Sequence, residues 1–288
     1  MRRTLFYIGV CLTGLLLFGC NNQCRECEDQ FKSNGNFRLV LDWTKLWQGI
    51  EKPEEMNVYF YHSDLAPLKD KIYTDTTYYN LPSGRYNIVA VNNAGLENYT
   101  GMDHYYTAQV TLPVYVVDNL VTTTEAPLYL AAHHTVAIGN TFKECKIMPA
   151  PIIKIIHFTF RIKSGINIES IRAELQGVQT SAMLFTEEQT LGAACLPFMP
   201  LRKKENHFYK PISILGFTPG TINLLSVRMT CRDGSILETV TDLSGKFDFQ
   251  TSPVQSCTLY YDLENNGLEP DIKIENWQPG INQDIHIY

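Results

Sequence analysis

Large apolar residues recur at every second position through much of this chain, the period that puts one face of a β-strand on a core. In Phe37-Arg38-Leu39-Val40-Leu41-Asp42-Trp43 they stand at 37, 39, 41 and 43. Further strands are predicted over 56–61 and 76–81, with the polar, turn-rich stretch 65–75 read as their connection. Pro82-Ser83-Gly84 marks a turn, because proline presets φ and glycine tolerates φ > 0. It launches a strand over 86–92 that is apolar on both faces and therefore central. Strands over 105–112, 114–121 and 128–138 continue the series.

Pro149 and Pro151 interrupt the pattern, and a boundary is placed near 145–151. Beyond it, 152–163 reads as a long strand with Ile156, Phe158, Phe160 and Ile162 on one face. His157, Thr159, Arg161 and Lys163 occupy the other. A bent strand or strand pair over 166–175 ends at Gly177. The stretch 180–205, with Pro197, Pro200 and Arg202-Lys203-Lys204, is predicted to be a loop. Strands follow over 207–217, 222–231, 236–241 and 257–262. The tail alternates Ile272/Ile274 and, after Pro279-Gly280, Ile285/Ile287. Strands at roughly ten- to twenty-residue intervals, without amphipathic helices, predict an all-β chain of antiparallel sandwiches.

The first twenty residues obey a different rule. Arg2 and Arg3 precede an apolar run that closes on Leu17-Phe18-Gly19-Cys20. A basic start, a short apolar stretch and small residues at the cut site make a secretory signal peptide over 1–19. The run falls short of the roughly 20 apolar residues that cross a bilayer comfortably. Polar residues 21–36 read as a tether. The domain plan is therefore a signal peptide at 1–19, a tether at 20–36, an N-terminal sandwich at 37–147 and a C-terminal sandwich at 148–288.

Composition changes this picture little. Sixteen Tyr and fourteen Phe favour strands over helices. A formal net charge of −6 removes the electrostatic case for nucleic acid, which calls for basic patches. Export permits disulfides among Cys24, Cys27, Cys145, Cys195, Cys231 and Cys257, in any of about fifteen connectivities. Cys24-Arg-Glu-Cys27 lacks the strand-then-helix frame that lowers a redox thiol's pKa. A local tether disulfide or free thiols are the readings there, and the other four serve equally well as small buried apolar groups.

No nucleophile elbow, dinucleotide or phosphate loop, or His-Glu-x-x-His is present. His62-Ser63-Asp64 is contiguous and cannot converge as a triad does. His133-His134 would point to opposite faces of a strand. Asp262, Glu264, Glu269 and Asp271 lack the Ca²⁺-loop spacing with Glu at its twelfth position. No catalytic residue, cofactor or metal is expected, and Asp75-Thr76-Thr77 matches only a short O-glycosylation pattern.

Leu17-Phe18-Gly19-Cys20 resembles the lipobox of bacterial lipoproteins, which implies a diacylated Cys20 as first mature residue. Two acyl chains satisfy the two-signal requirement for stable anchoring. Glu26, Glu28 and Asp29 just beyond it resemble the surface-export signal of Bacteroidetes lipoproteins. Together with Val40-Leu41-Asp42-Trp43, Met56-Asn57-Val58-Tyr59-Phe60-Tyr61, Leu81-Pro82-Ser83-Gly84-Arg85-Tyr86-Asn87-Ile88 and Ala126-Pro127-Leu128-Tyr129, the chain resembles fimbrillin-like lipoproteins of Bacteroidetes. The likeness is greatest to an uncharacterised domain family allied to type V pilus anchor and accessory subunits. It implies two tandem transthyretin-like (Greek-key) sandwiches and an outer-membrane, lipid-anchored protein facing the exterior.

The implied function is that of a non-enzymatic fimbrial anchor, accessory or adhesin-like subunit. Its partners would be the membrane, through Cys20, and pilus subunits. Such subunits join by strand donation, a form of β-augmentation. Ile272, Ile274, Ile285 and Ile287 have the alternation of a donated strand, or of the last hairpin of the second sandwich. Polymerising members lose an early strand after a basic residue, and Arg38 lies inside strand one, so an anchor that keeps its strand fits better. The alternative is a surface glycan-binding lipoprotein of a polysaccharide-uptake system. Exposed Tyr or Trp platforms would favour that alternative; a shallow groove beside an unpaired edge would favour strand exchange.

Overall fold

A computed structural model describes residues 34–46, 52–92, 99–112, 114–115, 120–121, 128–163, 165–185, 190–265 and 267–276. Regular structure among them is strand, apart from short 3₁₀ turns at Trp43–Lys45 and Tyr105–Thr107. The chain opens with β1 (Asn34–Leu41), β2 (Met56–His62), β3 (Leu68–Ile72), β4 (Thr76–Pro82) and β5 (Gly84–Asn92). Four short strands follow: β6 (Tyr99–Thr100), β7 (Gln109–Thr111), β8 (Val114–Tyr115) and β9 (Leu120–Val121). Next come β10 (Tyr129–Ile138), β11 (Lys143–Ile147) and β12 (Ala150–Pro151). The remainder holds β13 (Lys154–Lys163), β14 (Ile168–Met183), β15 (Thr190–Phe198), β16 (Leu201–Lys204) and β17 (His207–Ile214). It closes with β18 (Leu224–Cys231), β19 (Ile236–Asp242), β20 (Val254–Asp262) and β21 (Asp271–Asn276).

Sheet β11-β1-β4 and sheet β12-β10-β5-β2-β3 enclose the first core. Phe37 and Leu39 of β1 meet Met56, Val58 and Phe60 of β2 and Tyr86, Ile88 and Ala90 of β5, all but excluded from water. Each of the Phe, Leu, Met, Val and Ile side chains contributes about 1.5–3 kcal/mol by leaving water. The second core lies between β16-β17-β13-β20-β21 and β19-β18-β14-β15-β9-β8. The face predicted for β13, Ile156 with Phe158, Phe160 and Ile162, is buried there.

Pairing is mostly antiparallel, as the period implies. Strand β1 runs parallel to β11, β13 to β20, and β15 to β9. These partners lie far apart in sequence, so no hairpin imposes opposite directions on them.

As expected, β5 is central and buried on both sides. The two faces go to different cores. Phe60 and Ile88 point into the first, whereas Tyr59, Tyr61, Val89 and Val91 belong to the second. Residues 99–112 lie among that second set, contributing Tyr99, Tyr105, Ala108, Val110 and Leu112. The same stretch joins β14 through β7, with Thr111 opposite Ser181 and Gln109 opposite Met183. Pairing therefore crosses residues 147/148 in both directions, since β12 returns to pair with β10.

Four sequence expectations need correction, the first being the strand over 105–112, which is a 3₁₀ turn at Tyr105–Thr107 and strand only in β7. The presumed connection 65–75 contains β3, in which Ile72 alone is buried; an edge strand wet on both faces carries no apolar alternation. Strand β14 does not stop at Gly177 but continues to Met183. Gln176 and Gly177 bulge opposite Cys195, which resets the alternation, and Gly177 has φ +76°. A Cβ there would lie 2.4 Å from Asn223 Nδ2, so glycine answers both demands. The presumed loop 180–205 contains β15 and β16, where small residues and Pro197 hide the alternation of buried Ala194, Leu196 and Phe198.

Candidate functional site

Two long seams run where the sheets of the second sandwich meet, and they are built differently. Along one, the chain passes from β15 in one sheet to β16 in the other through Met199-Pro200. Arg202 then reaches back, its guanidinium donating to the carbonyls of Ile168 and Glu169 at the start of β14. Its Cζ lies 5.1 Å from the Phe208 ring centre. Asn206 adds a second bridge. Its Oδ1 accepts from Ile168 N at 3.2 Å and its Nδ2 donates to Ile166 O at 3.3 Å. Asn206 has φ +50°, a conformation that asparagine tolerates better than most residues.

The opposite seam is open. It lies between β19, the last strand of one sheet, and β21, the last of the other; neither has a second strand partner among the described residues. A shallow groove of about 430 Å³ follows it, lined by residues 239–242, Lys246, residues 268–270 and Ile272. Val240 is 62% exposed and Ile236 47%. The Thr241 hydroxyl is buried and has no hydrogen-bond partner among the described residues. Asp242 accepts from Ser244 N at 2.8 Å, and hydrogen bonds to Ser244, helped by Lys246, hold its carboxyl below the usual range.

Unpaired edges recruit other strands through their bare N–H and C=O groups, and charges blunt that tendency. Strand β21 carries Asp271, Lys273 and Glu275, the last two ion-paired at 2.9 Å. On β19, Glu238 pairs with Arg228 at 3.3 Å, but the exposed Ile236 and Val240 leave part of the edge apolar. The groove beside an unpaired edge that distinguishes strand exchange is therefore present.

Of the residues singled out in the sequence, Ile272 and Ile274 lie in β21, opposite Leu259 and Cys257 of β20, and pack on the second core. Cys20, Cys24, Cys27, Ile285 and Ile287 lie outside the described residues. Cys145, Cys195, Cys231 and Cys257 are free thiols, Cys145, Cys231 and Cys257 buried and Cys195 half-buried. Burial pushes Cys257 up to about 12, far from the thiolate a reactive cysteine needs.

At His62-Ser63-Asp64 the backbone N–H of Asp64 donates to His62 Nδ1 at 3.1 Å, a local turn. Asp262 is not an idle loop charge. It accepts from Asn265 and pairs with Lys163 at 2.9 Å, which brings its carboxyl to about 2. Asp75 accepts from Leu41 N and pairs with Arg38 at 3.5 Å. Arg38 also pairs with Glu144 at 3.6 Å, so this strand-one residue is tied to both neighbours of β1. The Arg202–Asn206 bridge had no sequence signature, because its carbonyl and amide partners lie about 34–40 residues away.

Among curated proteins, none matches the chain by sequence. Among solved structures, the fimbrial anchor protein Mfa2 from Porphyromonas gingivalis superposes with a TM-score of 0.61 at 14% identity, over 84% of this chain and 97% of that one. A candidate adhesin from Bacteroides ovatus gives 0.61 at 14% identity, over 86% and 94%. A candidate polysaccharide-binding protein from Bacteroides thetaiotaomicron gives 0.58 at 11% identity, over 85% and 99%. At these identities the likeness is one of fold. Residues 23–199 match the family described as "Domain of unknown function (DUF5119)", and the chain belongs to it.

Proposed function

We propose that this protein is a non-enzymatic anchor or accessory subunit of a surface fimbrium, held at the outer membrane by a diacylated Cys20. The observation that carries the reading is the open seam between β19 and β21 on a sandwich whose other seam is bridged. A partner strand laid along β19 would gain backbone hydrogen bonds and cover Ile236 and Val240. Such a partner is of the kind that the name of the Porphyromonas gingivalis neighbour suggests. Strand β1 supports an anchor rather than a polymerising subunit. Phe37 and Leu39 are wholly buried, and Arg38 is paired on both sides, so losing β1 would open the first core.

Two experiments bear on this reading. Replacing Val240 by a photo-crosslinking residue should capture a fimbrial subunit at the cell surface; recovery of glycan-transport proteins without any fimbrial subunit would overturn it. Cys20→Ala should release the protein from membranes, and unchanged retention would refute the lipid anchor.

A further inference from the structure

We infer that a second groove, formed where β2 and β5 meet the stretch 103–106 and sharing no lining residue with the β19–β21 groove, binds a neutral oligosaccharide. It lies between the turn after β2, Arg85 and Asn87 on β5, and the stretch 103–106, and encloses about 610 Å³. That volume sits within the roughly 300–1,000 Å³ usual for small-molecule sites.

Its first component is a rigid exposed ring. Tyr106 is 70% exposed, yet Tyr105 braces it edge-on at 5.3 Å and Phe185 at 5.2 Å. The supporting loop is closed as well. Thr107 Oγ1 donates to Gly101 O at 2.8 Å, and Gly101, at φ +63°, leaves no room for a Cβ beside Thr107 O. A flat apolar face presented to water on a fixed loop loses little freedom when a ligand stacks on it.

The second component is a set of polar groups left for a ligand. The side chains of Asp64, Arg85, Asp103 and His104 line the groove with Tyr106. Among the described residues they form no hydrogen bond or ion pair, although charges of both signs are present. A ligand that satisfies separated donors and acceptors while lying flat on a ring must carry groups that do both. Sugar hydroxyls donate and accept, and the C–H face of a pyranose is apolar. Two carboxylates against one guanidinium disfavour phosphates and sugar acids, which selects neutral sugars. The groove is independent of strand pairing, so failure of either proposal leaves the other standing.

The test uses the full chain on an array of neutral, sialylated and uronic-acid oligosaccharides, followed by titration with the best neutral oligosaccharide. Binding of neutral oligosaccharides is expected. Tyr106→Ala should weaken it by at least about tenfold, the equivalent of one stacked ring. Asp103→Asn should also weaken it, whereas Tyr79→Ala, which removes an equally exposed ring on β4, should not. Retention of no neutral oligosaccharide would overturn the inference, as would unchanged affinity in both Tyr106→Ala and Asp103→Asn. Asp103 forms no hydrogen bond among the described residues, so its substitution serves even if the Tyr106 variant folds poorly.

Discussion

The two seams of the second sandwich belong to the same pair of sheets and face opposite demands. On the bridged flank, Arg202 of β16 and Asn206 in the turn before β17 satisfy backbone groups of β14 and its approach from the other sheet. On the open flank, β19 and β21 end their sheets side by side, with a groove between them and a buried hydroxyl unsatisfied at Thr241. The contrast shows where, among the described residues, side chains of one sheet close the sandwich on the other and where two edge strands have no further strand partner. A buried polar group left unpaired is costly, so an edge with one gains most from a partner that satisfies it.

Acid should act most strongly away from both seams, on the central strand of the sheet that carries the bridge. His157 of β13 is buried against Tyr209 of β17, with Nδ1 and the hydroxyl 2.5 Å apart, and burial lowers its pKa from 6.5 to about 4. A depressed folded pKa means that the unfolded chain binds the proton first. The stability is thus present above pH 6.5 and is lost as pH falls from there through about 4. The loss should approach about 3 kcal/mol. Urea midpoints measured between pH 7 and 4 should fall, and His157→Gln should flatten that slope.

Next in size is the bridge itself. Arg202→Met removes charge-assisted bonds to two β14 carbonyls and should cost about 1.5–3 kcal/mol in urea unfolding. A cost near zero would mean that the Met199-Pro200 crossing closes this flank unaided. The smallest effect has the opposite sign. Thr241→Val replaces an unsatisfied buried hydroxyl with a methyl and should stabilise by about 0.5–1 kcal/mol. If it also weakens capture at Val240, that hydroxyl is one of the groups a partner strand satisfies.

The success of the sequence reading tracks how evenly buried apolar residues alternate. Strand β13, buried on its predicted face, and β5, buried on both, announced themselves because periodic apolar residues report a core directly. Strand β3 was invisible because an edge strand in water has nothing to alternate. The far half of β14 was missed because a bulge at Gly177 shifts the alternation. Of the open seam, Ile272 and Ile274 could be seen as an alternating pair, but not that Ile272 shares a groove with β19. Tyr106, one of sixteen tyrosines, carries no mark in the sequence; it is the packing of Tyr105 and Phe185 against it that holds its ring on edge in water.

The sequence alone therefore determined the class of fold and those strands, such as β5 and β13, whose apolar residues repeat without interruption, because these follow from local composition and a period of two; the family was reached by resemblance of motifs. Which edges meet was left to the tertiary structure. Seam closure depends on Arg202 finding carbonyls about 34 residues away, and seam opening on β19 and β21 ending adjacent sheets. Backbone donors and acceptors are the same in every residue, so no side-chain pattern records which of them remain unpaired.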